Sequence, residues 1–531
     1  MHRNKSVVAH QFSMVPRNDV PRSTFKMPSA HKAPIDSGIL YPFYLEEILP
    51  GDSFKVRATL FGRLATPIFP FMDNLKATTF FFFCPSRIVW DNWEKFIARA
   101  QNNPGDSTDY VTPKMTSPVG GYAIGSLQDH FALPTVGQVD SSSTVTHVSL
   151  PLRIYNKIYN EWFKDENLID DAVVDYGDGP DDPADYVLRR RAKRPDYFTT
   201  CLPWPQKGES VGLPLGTRAP IAVDGGKQSG ATDIIGIRYS DGVASMYASS
   251  PEVRAYNAAA PNPSYALFAD LSEATAATIN QLRQAFAIQG LLEKDARGGT
   301  RYVESLWNHW GVRSPDARLQ RPEYLGGSTV PINVNPIAQT SASNVTGGST
   351  PQGNLAAMGT MLASSNGFSH SFVEHGYVIG IVCVDADLSY QQGTRRHWFR
   401  DTAYDYYIPT FASLGEMAVL NREIYTTGLP QDEDVFGYQE SWGDYRNHPS
   451  TIVGLFRSTA ANTIDQWHLS QRFNSLPTLN QTFIESRPPL DRVLAVHEEA
   501  LGQQLILDVY MDVIATRPLP MYGIPGLRSF F

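Results

Sequence analysis

Hydrophobic and polar residues alternate in several short segments of the chain, a pattern typical of β-strands with one buried face. Residues 54–60 (FKVRATL) show it first, directly after a Pro-Gly-Asp-Ser turn. Residues 80–83 are four consecutive phenylalanines, which predicts a strand buried on both faces. Alternation returns at residues 376–390 and 505–515. The pattern therefore predicts packed strands at both ends of the chain.

Helical spacing of apolar residues occurs in shorter stretches between these strands. The helices that it predicts lie at residues 91–100, 152–163 and 277–294, and around Tyr302, Leu306 and Trp310. Residues 223–276 are rich in Ala, Ser and Gly with little periodicity, which is typical of an insertion in an exposed loop. Strands at both ends with long insertions between them favour a large β-sandwich.

Several stretches of the chain resemble one family of viral proteins. Residues 63–93 read RLATPIFPFMDNLKATTFFFFCPSRIVWDNW, which resembles the opening of the major capsid protein of gokushovirus-type Microviridae, small icosahedral phages with single-stranded DNA. The resemblance resumes, in family order, at residues 196–208, 277–327, 350–355, 375–380, 434–440 and 517–526. It is weakest at about residues 223–276 and in the acidic stretch before Arg189.

The resemblance implies a mainly β fold, an eight-stranded antiparallel jelly-roll of the viral capsid type with long loop and helical insertions. We expect a basic N-terminal arm at residues 1–35 and a jelly-roll capsid domain at residues 36–531. Within that domain, residues 223–276 are expected to form an exposed variable insertion that builds a protrusion at the threefold axes. Residues 517–531 are expected to form an extended tail that lies across a neighbouring subunit or the inner wall.

The same resemblance implies a function in assembly. The chain would be a major capsid protein that forms a T=1 icosahedral shell of sixty copies around a circular single-stranded DNA genome, with the exposed insertion used in host attachment. Its expected partners are itself through five-, three- and twofold contacts, the packaged DNA, scaffolding and small DNA-binding or pilot phage proteins, and a host surface receptor. Its expected location is the virion, after assembly in the bacterial host cytoplasm.

Basic residues are concentrated in two places, although the chain carries a formal net charge of −9. The N-terminal 35 residues hold six Lys and Arg against a single acid, Asp19, and a second basic run follows the acidic stretch. The candidate DNA-contacting residues are Arg3, Lys5, Arg17, Arg22, Lys26, Lys32, Arg189, Arg190, Arg191 and Arg194. Such side chains neutralise phosphates without reading sequence. Two alternatives stay open: a solvated arm, and pairing of the second run with the preceding acids or a neighbouring subunit.

Motifs that carry catalysis or bind metal are incomplete in this sequence. Residues 208–212 (GESVG) match a hydrolase nucleophile elbow in letters, but prolines occupy both flanks where a strand and a helix are needed. His497 begins an H-E-x-x-H pattern that lacks its second histidine. Asp385 and Asp387 are expected to be outward-facing solvated acids rather than a glycosidase pair. Residues 165–185 are expected to form a solvated acidic loop.

Three cysteines, Cys84, Cys201 and Cys383, are too few and too scattered for a disulfide framework or a zinc site, so we expect buried thiols. The first residues carry no apolar segment of a signal peptide, and the apolar run at residues 377–384 is too short to span a bilayer. We therefore expect no enzyme, no cofactor and no membrane insertion. The rival hypothesis is a β-sandwich glycan-active enzyme or a carbohydrate-binding phage module.

Overall fold

The alternating segment at residues 54–60 lies inside a longer strand, Ser53–Leu64, whose side chains are alternately buried and exposed in this computed structural model. The structure describes residues 21–98, 110–208, 221–223, 267–269, 279–298, 304, 308, 320–338, 340, 343–345, 348–350, 355–496 and 504–522. Strands predominate in this part of the chain. The prediction of a mainly β protein is therefore confirmed.

The described strands, in chain order, are β1 (Ser23–Lys26), β2 (Ser29–Ile35), β3 (Tyr41–Ile48), β4 (Ser53–Leu64), β5 (Leu75–Pro85), β6 (Lys114–Thr116), β7 (Thr146–Val148), β8 (Ile221–Val223), β9 (Leu267–Ala269), β10 (Glu323–Pro331), β11 (Asn333–Ala338), β12 (Ser343–Val345), β13 (Gly348–Thr350), β14 (Leu355–Ser371), β15 (Gly376–Ala386), β16 (Glu416–Leu420), β17 (Val435–Glu440) and β18 (Leu505–Arg517). The described helices are α1 (Trp93–Ala98), α2 (Leu127–His130), α3 (Leu150–Trp162), α4 (Ile279–Arg297), α5 (Asn421–Ile424), α6 (Gly443–Arg446) and α7 (Gln481–Ile484).

The chain divides into two compact units. One comprises Met1–Pro205 together with Arg313–Phe531, and the other comprises Gln206–Val312. The smaller unit contains the antiparallel pair β8–β9 and helix α4. The larger unit contains the two principal sheets and the α3 helix.

Two antiparallel sheets form the larger unit. The six-stranded sheet has the order β1-β18-β4-β14-β11, with β2 also paired to β18, and the four-stranded sheet has the order β10-β5-β15-β3. One apolar cluster contains side chains from both sheets, such as Val56 and Val509 from the first and Phe81 and Val382 from the second. The sheets therefore stack on each other as a sandwich, because each must bury its apolar face.

The four-stranded sheet is also covered on its second face. Phe81 and Phe83 of β5 belong to the cluster between the sheets, whereas Phe82 packs with α3 residues such as Ile154 in a second cluster. Successive side chains of a strand point to opposite faces, so a run of phenylalanines fills both layers. The predicted double burial of this strand is confirmed. In the part of the chain that the structure describes, the six-stranded sheet has one exposed face.

The other predicted elements can be compared directly with the structure. The helices expected at residues 91–100, 152–163 and 277–294 are found as α1, α3 and α4, and the strand expected at residues 505–515 is found as β18. Of the helix expected around Tyr302, the structure describes only residues 304 and 308, and both are helical. Nearly all of the expected insertion lies outside the described residues. All three cysteines are buried free thiols, as expected. No helix in the described ranges is both long and apolar enough to cross a membrane.

The prediction for Asp385 is wrong. Its side chain is buried at the end of β15, where it pairs with Arg191 (3.3 Å) and accepts a hydrogen bond from the Ser486 hydroxyl (2.5 Å). Asp387 lies just beyond the strand and binds Lys76 at 2.7 Å while partly exposed. Both carboxylates therefore tie chain segments together, and they are not solvated acids on one strand face.

The acidic stretch at residues 165–185 is also more than a solvated loop. Asp181 is buried and accepts hydrogen bonds from Arg153 on α3 (2.7 and 2.5 Å) and from the Tyr186 hydroxyl (2.7 Å). Asp178 accepts a hydrogen bond from the Trp90 indole at 2.7 Å. Burial alone would raise the pKa of Asp181, but the bonds from Arg153 and Tyr186 lower it below its usual value. This segment therefore fastens α3 to the rest of the unit.

Candidate functional site

Strand β4 carries a row of cations on the open face of the six-stranded sheet. Lys55, Arg57, Phe61 and Arg63 are exposed, whereas the even-numbered residues of the strand are buried. The alternation of side chains along a strand places all four on one face. We call this the outer face of the sheet.

The register of the sheet brings further residues to the outer face. On β18, Ile506 lies opposite Arg63, Asp508 opposite Phe61, and Tyr510 opposite Thr59. On the other side of β18, Lys32 of β2 lies opposite Asp508, and Lys26 of β1 lies opposite Ile514. Cations from three different strands are thus assembled on a single surface.

We define the basic face as Lys26, Lys32, Lys55, Arg57 and Arg63. Lys32 is 3.5 Å from Asp508, with both side chains largely exposed. Lys55, Arg57 and Arg63 have no ion-pair partner within 4 Å among the residues that the structure describes. Because two acids, Asp508 and Asp512, accompany five cations, this face is basic although the chain as a whole is acidic.

Exposed aromatic rings lie among these cations. Phe61 is 50% exposed and Tyr510 is 51% exposed. A shallow cavity of about 360 Å³ lies beside Phe61 and is lined also by Leu362, Asn333 and Pro331. Rings next to cations suit a single-stranded nucleic acid, since bases stack on the rings while the cations bind phosphates.

The predicted arm residues are only partly described. Lys26 and Lys32 belong to the basic face, and Arg22 lies at its end, where it donates to the Gly51 carbonyl and to the Ser53 hydroxyl. Arg3, Lys5 and Arg17 lie outside the described residues. The sequence did not single out Lys55, Arg57 and Arg63, because they are interspersed with the apolar residues of a strand. The available signal was that all three have odd numbers, which places them on the face opposite the apolar side chains.

The second basic run is bonded within the subunit. Arg189 donates to the Asp185 carbonyl (3.1 Å) and Arg190 to the carbonyls of Ser37 and Ser486. Arg191 pairs with Asp385 of β15, and Arg194 donates to the Thr78 hydroxyl of β5 (3.2 Å). These contacts place the run against the four-stranded sheet rather than on the basic face. The bond from Arg189 goes to the backbone carbonyl of Asp185, and DNA contact by these arginines stays a prediction.

Lys193, within the same run, is buried with its amine 4.3 Å from the centre of the Phe483 ring. Burial lowers the pKa of this amine to about 8, from 10.5 in its ordinary state. The folded protein therefore releases this proton before the unfolded chain does, and the cost of burying the charge is present below pH 8 and vanishes above about pH 10.5.

We expect Lys193→Met to raise the free energy of unfolding by about 1–3 kcal/mol at pH 7. The advantage over the natural protein should shrink steadily between pH 8 and 10.5. Denaturant unfolding of both proteins at four pH values measures this difference. An advantage independent of pH would show that the amine is not the source of the effect.

No group of three His, Cys, Asp or Glu side chains suited to a metal ion occurs in the described ranges. The candidate functional site is therefore the basic face, an extended charged surface. Its geometry fits a polyanion that lies along a sheet.

Comparison with known proteins gives the chain its family. The family model for the capsid protein (F protein) of phages matches residues 13–527. Capsid protein VP1 of Bdellovibrio phage phiMH2K is 46% identical, and capsid protein VP1 of Chlamydia phage 1 is 41% identical. Capsid protein VP1 of Spiroplasma virus 4 is 36% identical, and each of the three alignments covers 98% of both chains. These matches confirm the resemblance found in the sequence, and the chain belongs to the phage capsid protein (F protein) family.

Proposed function

We propose that sixty copies of this capsid protein close into a T=1 icosahedral shell around a circular single-stranded DNA genome. The observation that carries the proposal is the match to the capsid family over nearly the whole chain. A finite shell follows when each subunit presents surfaces that meet along closed rotation axes. Membership of this family indicates a structural protein rather than a glycan-active enzyme.

We further propose that the sandwich is an eight-stranded viral jelly-roll. Its strands would be β2, β18, β4 and β14 in one sheet and β3, β15, β5 and β10 in the other. The strand order supports this assignment, because most strands that follow each other along the chain lie in opposite sheets, as two Greek keys require. The long segment between β5 and β10 would then be the main insertion.

We propose that the basic face meets the packaged DNA on the inside of the shell. Five cations and two exposed rings on one open sheet face support this proposal. The part of the expected arm that precedes β1 would extend the same surface. Contacts of this kind neutralise phosphate charge by releasing counterions, and they need no particular sequence.

Assembly of the expressed chain tests the proposed function. The purified protein should sediment as a single large species and appear in negative stain as uniform hollow shells. If only unassembled subunits are found, the experiment is repeated with the phage's scaffolding protein and small DNA-binding protein added. Absence of shells in that mixture would overturn the proposal. Virion location and assembly in the host cytoplasm follow from the same proposal.

The insertion at residues 223–276 should be dispensable for closing the shell. We expect its replacement by a short Gly-Ser linker, with Pro220 and Ala277 retained, to leave the shell yield within about twofold, because exposed loops tolerate shortening. Adsorption of the resulting particles to host cells should fall at least tenfold if the insertion meets the receptor. Electron microscopy and a plating assay measure the two effects separately. Loss of all shells would assign the insertion to assembly instead.

A further inference from the structure

A second exposed surface, distant in sequence from the basic face, is rich in tyrosine. Tyr404 is 75% exposed, and Tyr406, Tyr407, Leu414 and Tyr445 are each about half exposed. We call these five residues the aromatic surface. Large side chains exposed together are uncommon on proteins that remain alone in solution.

Contacts among the rings show that this surface is continuous. The Tyr407 ring lies 6.3 Å from Tyr445 and 5.6 Å from Trp442. The Arg400 guanidinium lies 4.2 Å from the Tyr445 ring and 5.5 Å from the Tyr406 ring. One cation and one buried indole therefore link three of the five residues. Tyr404 joins them through the Phe411 ring, which lies 6.2 Å away and whose carbonyl accepts from the same indole.

The surface is also held in place before any partner arrives. Arg400 forms a buried ion pair with Asp444, which fixes the guanidinium beneath the tyrosines. The Trp442 indole donates to the Phe411 carbonyl (2.9 Å), and the Tyr445 hydroxyl accepts from the Tyr407 amide (3.3 Å). Side chains that are ordered in advance lose little entropy on binding.

Composition and area are those expected for part of a contact between proteins. Five side chains of this size, half or more exposed, offer roughly 500 Å² of surface, since a buried aromatic side chain accounts for about 150–250 Å². One partner in a standard interface contributes about 800 Å². Tyrosine and arginine are enriched in such interfaces, because a ring supplies apolar area while its hydroxyl still finds a hydrogen bond.

We propose that a second copy of this chain covers the aromatic surface in the assembled shell. This inference rests on the proposed function, which requires each capsid subunit to bury surface against its neighbours. A copy of the chain accounts for the preformed rings and for the area, since each subunit of a closed shell meets its neighbours through the same fixed surfaces. A host glycan or an accessory phage protein would be the occupant if the test below fails.

A single introduced thiol tests the proposal. The chain's three cysteines are all buried, so Tyr404→Cys creates one exposed thiol. In shells made from this chain alone, we expect a maleimide to label it at least tenfold more slowly than in dissociated subunits. Equal rates in shells and subunits would overturn the inference while leaving the shell itself established. If the variant stays folded but forms no shells although the natural chain does, the result supports the inference.

Two double variants distinguish the contribution of the tyrosine rings from that of their hydroxyl groups. We expect Tyr404→Ser with Tyr407→Ser to lower shell yield at least tenfold, with folded subunits accumulating. Tyr404→Phe with Tyr407→Phe keeps the rings and should assemble with nearly natural yield. Natural yield from the serine variant would overturn the inference. Failure of the natural chain to form shells, even with its accessory proteins, would instead overturn the proposed function and this inference with it.

Discussion

Replacing Arg153 with methionine is expected to lower the free energy of unfolding of the subunit by about 3–5 kcal/mol. The Arg153 side chain is completely buried and binds Asp181, whose side chain is 1% exposed. It also donates to the carbonyls of Val89 (3.1 Å) and Gly177 (2.9 Å). Methionine fills similar space, but it leaves one buried carboxylate without its counter-charge and two carbonyls without their donor.

Chemical denaturation of dissociated subunits measures this loss. The control is Arg446→Met, which removes an arginine whose ion pair with Glu440 is more than half exposed on both sides. We expect that control to cost less than about 1 kcal/mol, since exposed pairs contribute little. The double variant Arg153→Met with Asp181→Leu should recover part of the stability, because no unpaired charge is then buried. Equal losses of stability in Arg153→Met and Arg446→Met would contradict the claim that the buried bonds of Arg153 stabilise the subunit.

Replacing Lys55, Arg57 and Arg63 with glutamine should weaken binding of single-stranded DNA about 100-fold at 0.1 M salt. Each phosphate contact on a single strand changes the logarithm of the binding constant by about 0.7 per tenfold change in salt. Loss of three contacts should therefore flatten the salt dependence by about 2. Fluorescence anisotropy of a labelled oligonucleotide with dissociated subunits, repeated at several salt concentrations, gives both quantities.

The control for this experiment removes three exposed cations that lie outside the basic face, Lys114, Arg446 and Arg487. It changes the net charge equally and should leave the salt dependence nearly unchanged. Phe61→Ala with Tyr510→Ala should weaken binding without altering the salt dependence, because stacking involves no counterions. Equal loss of affinity in the triple variant and its control would mean that overall charge, not the basic face, governs DNA binding.

The strands and helices could be predicted from the sequence because the patterns that indicate them are local. The phenylalanine run at residues 80–83 and the alternation at residues 54–60 each report burial through neighbours a few positions away. The burial of Asp385 could not be predicted from the sequence, since its partner Arg191 lies in a distant part of the chain. The same holds for Arg153, which reads in sequence as an ordinary polar residue of a helix.

Only part of the candidate site could be predicted from the sequence, for a similar reason. Counting charges along the chain found Lys26 and Lys32, because they belong to a cluster that is dense in sequence. Lys55, Arg57 and Arg63 are interspersed with apolar residues and become a cluster only when β4 pairs with β18. Sheet register, which depends on contacts between distant segments, decided which cations share a surface.

The mass of the intact particle tests the central claim most directly. Charge-detection mass spectrometry of purified empty particles should give one protein species of about 3.5 MDa, which corresponds to sixty copies of the 58.9 kDa chain. That value would establish a T=1 shell built from this protein. A single species at a different multiple of the subunit mass, or a mixture of open aggregates, would contradict the account.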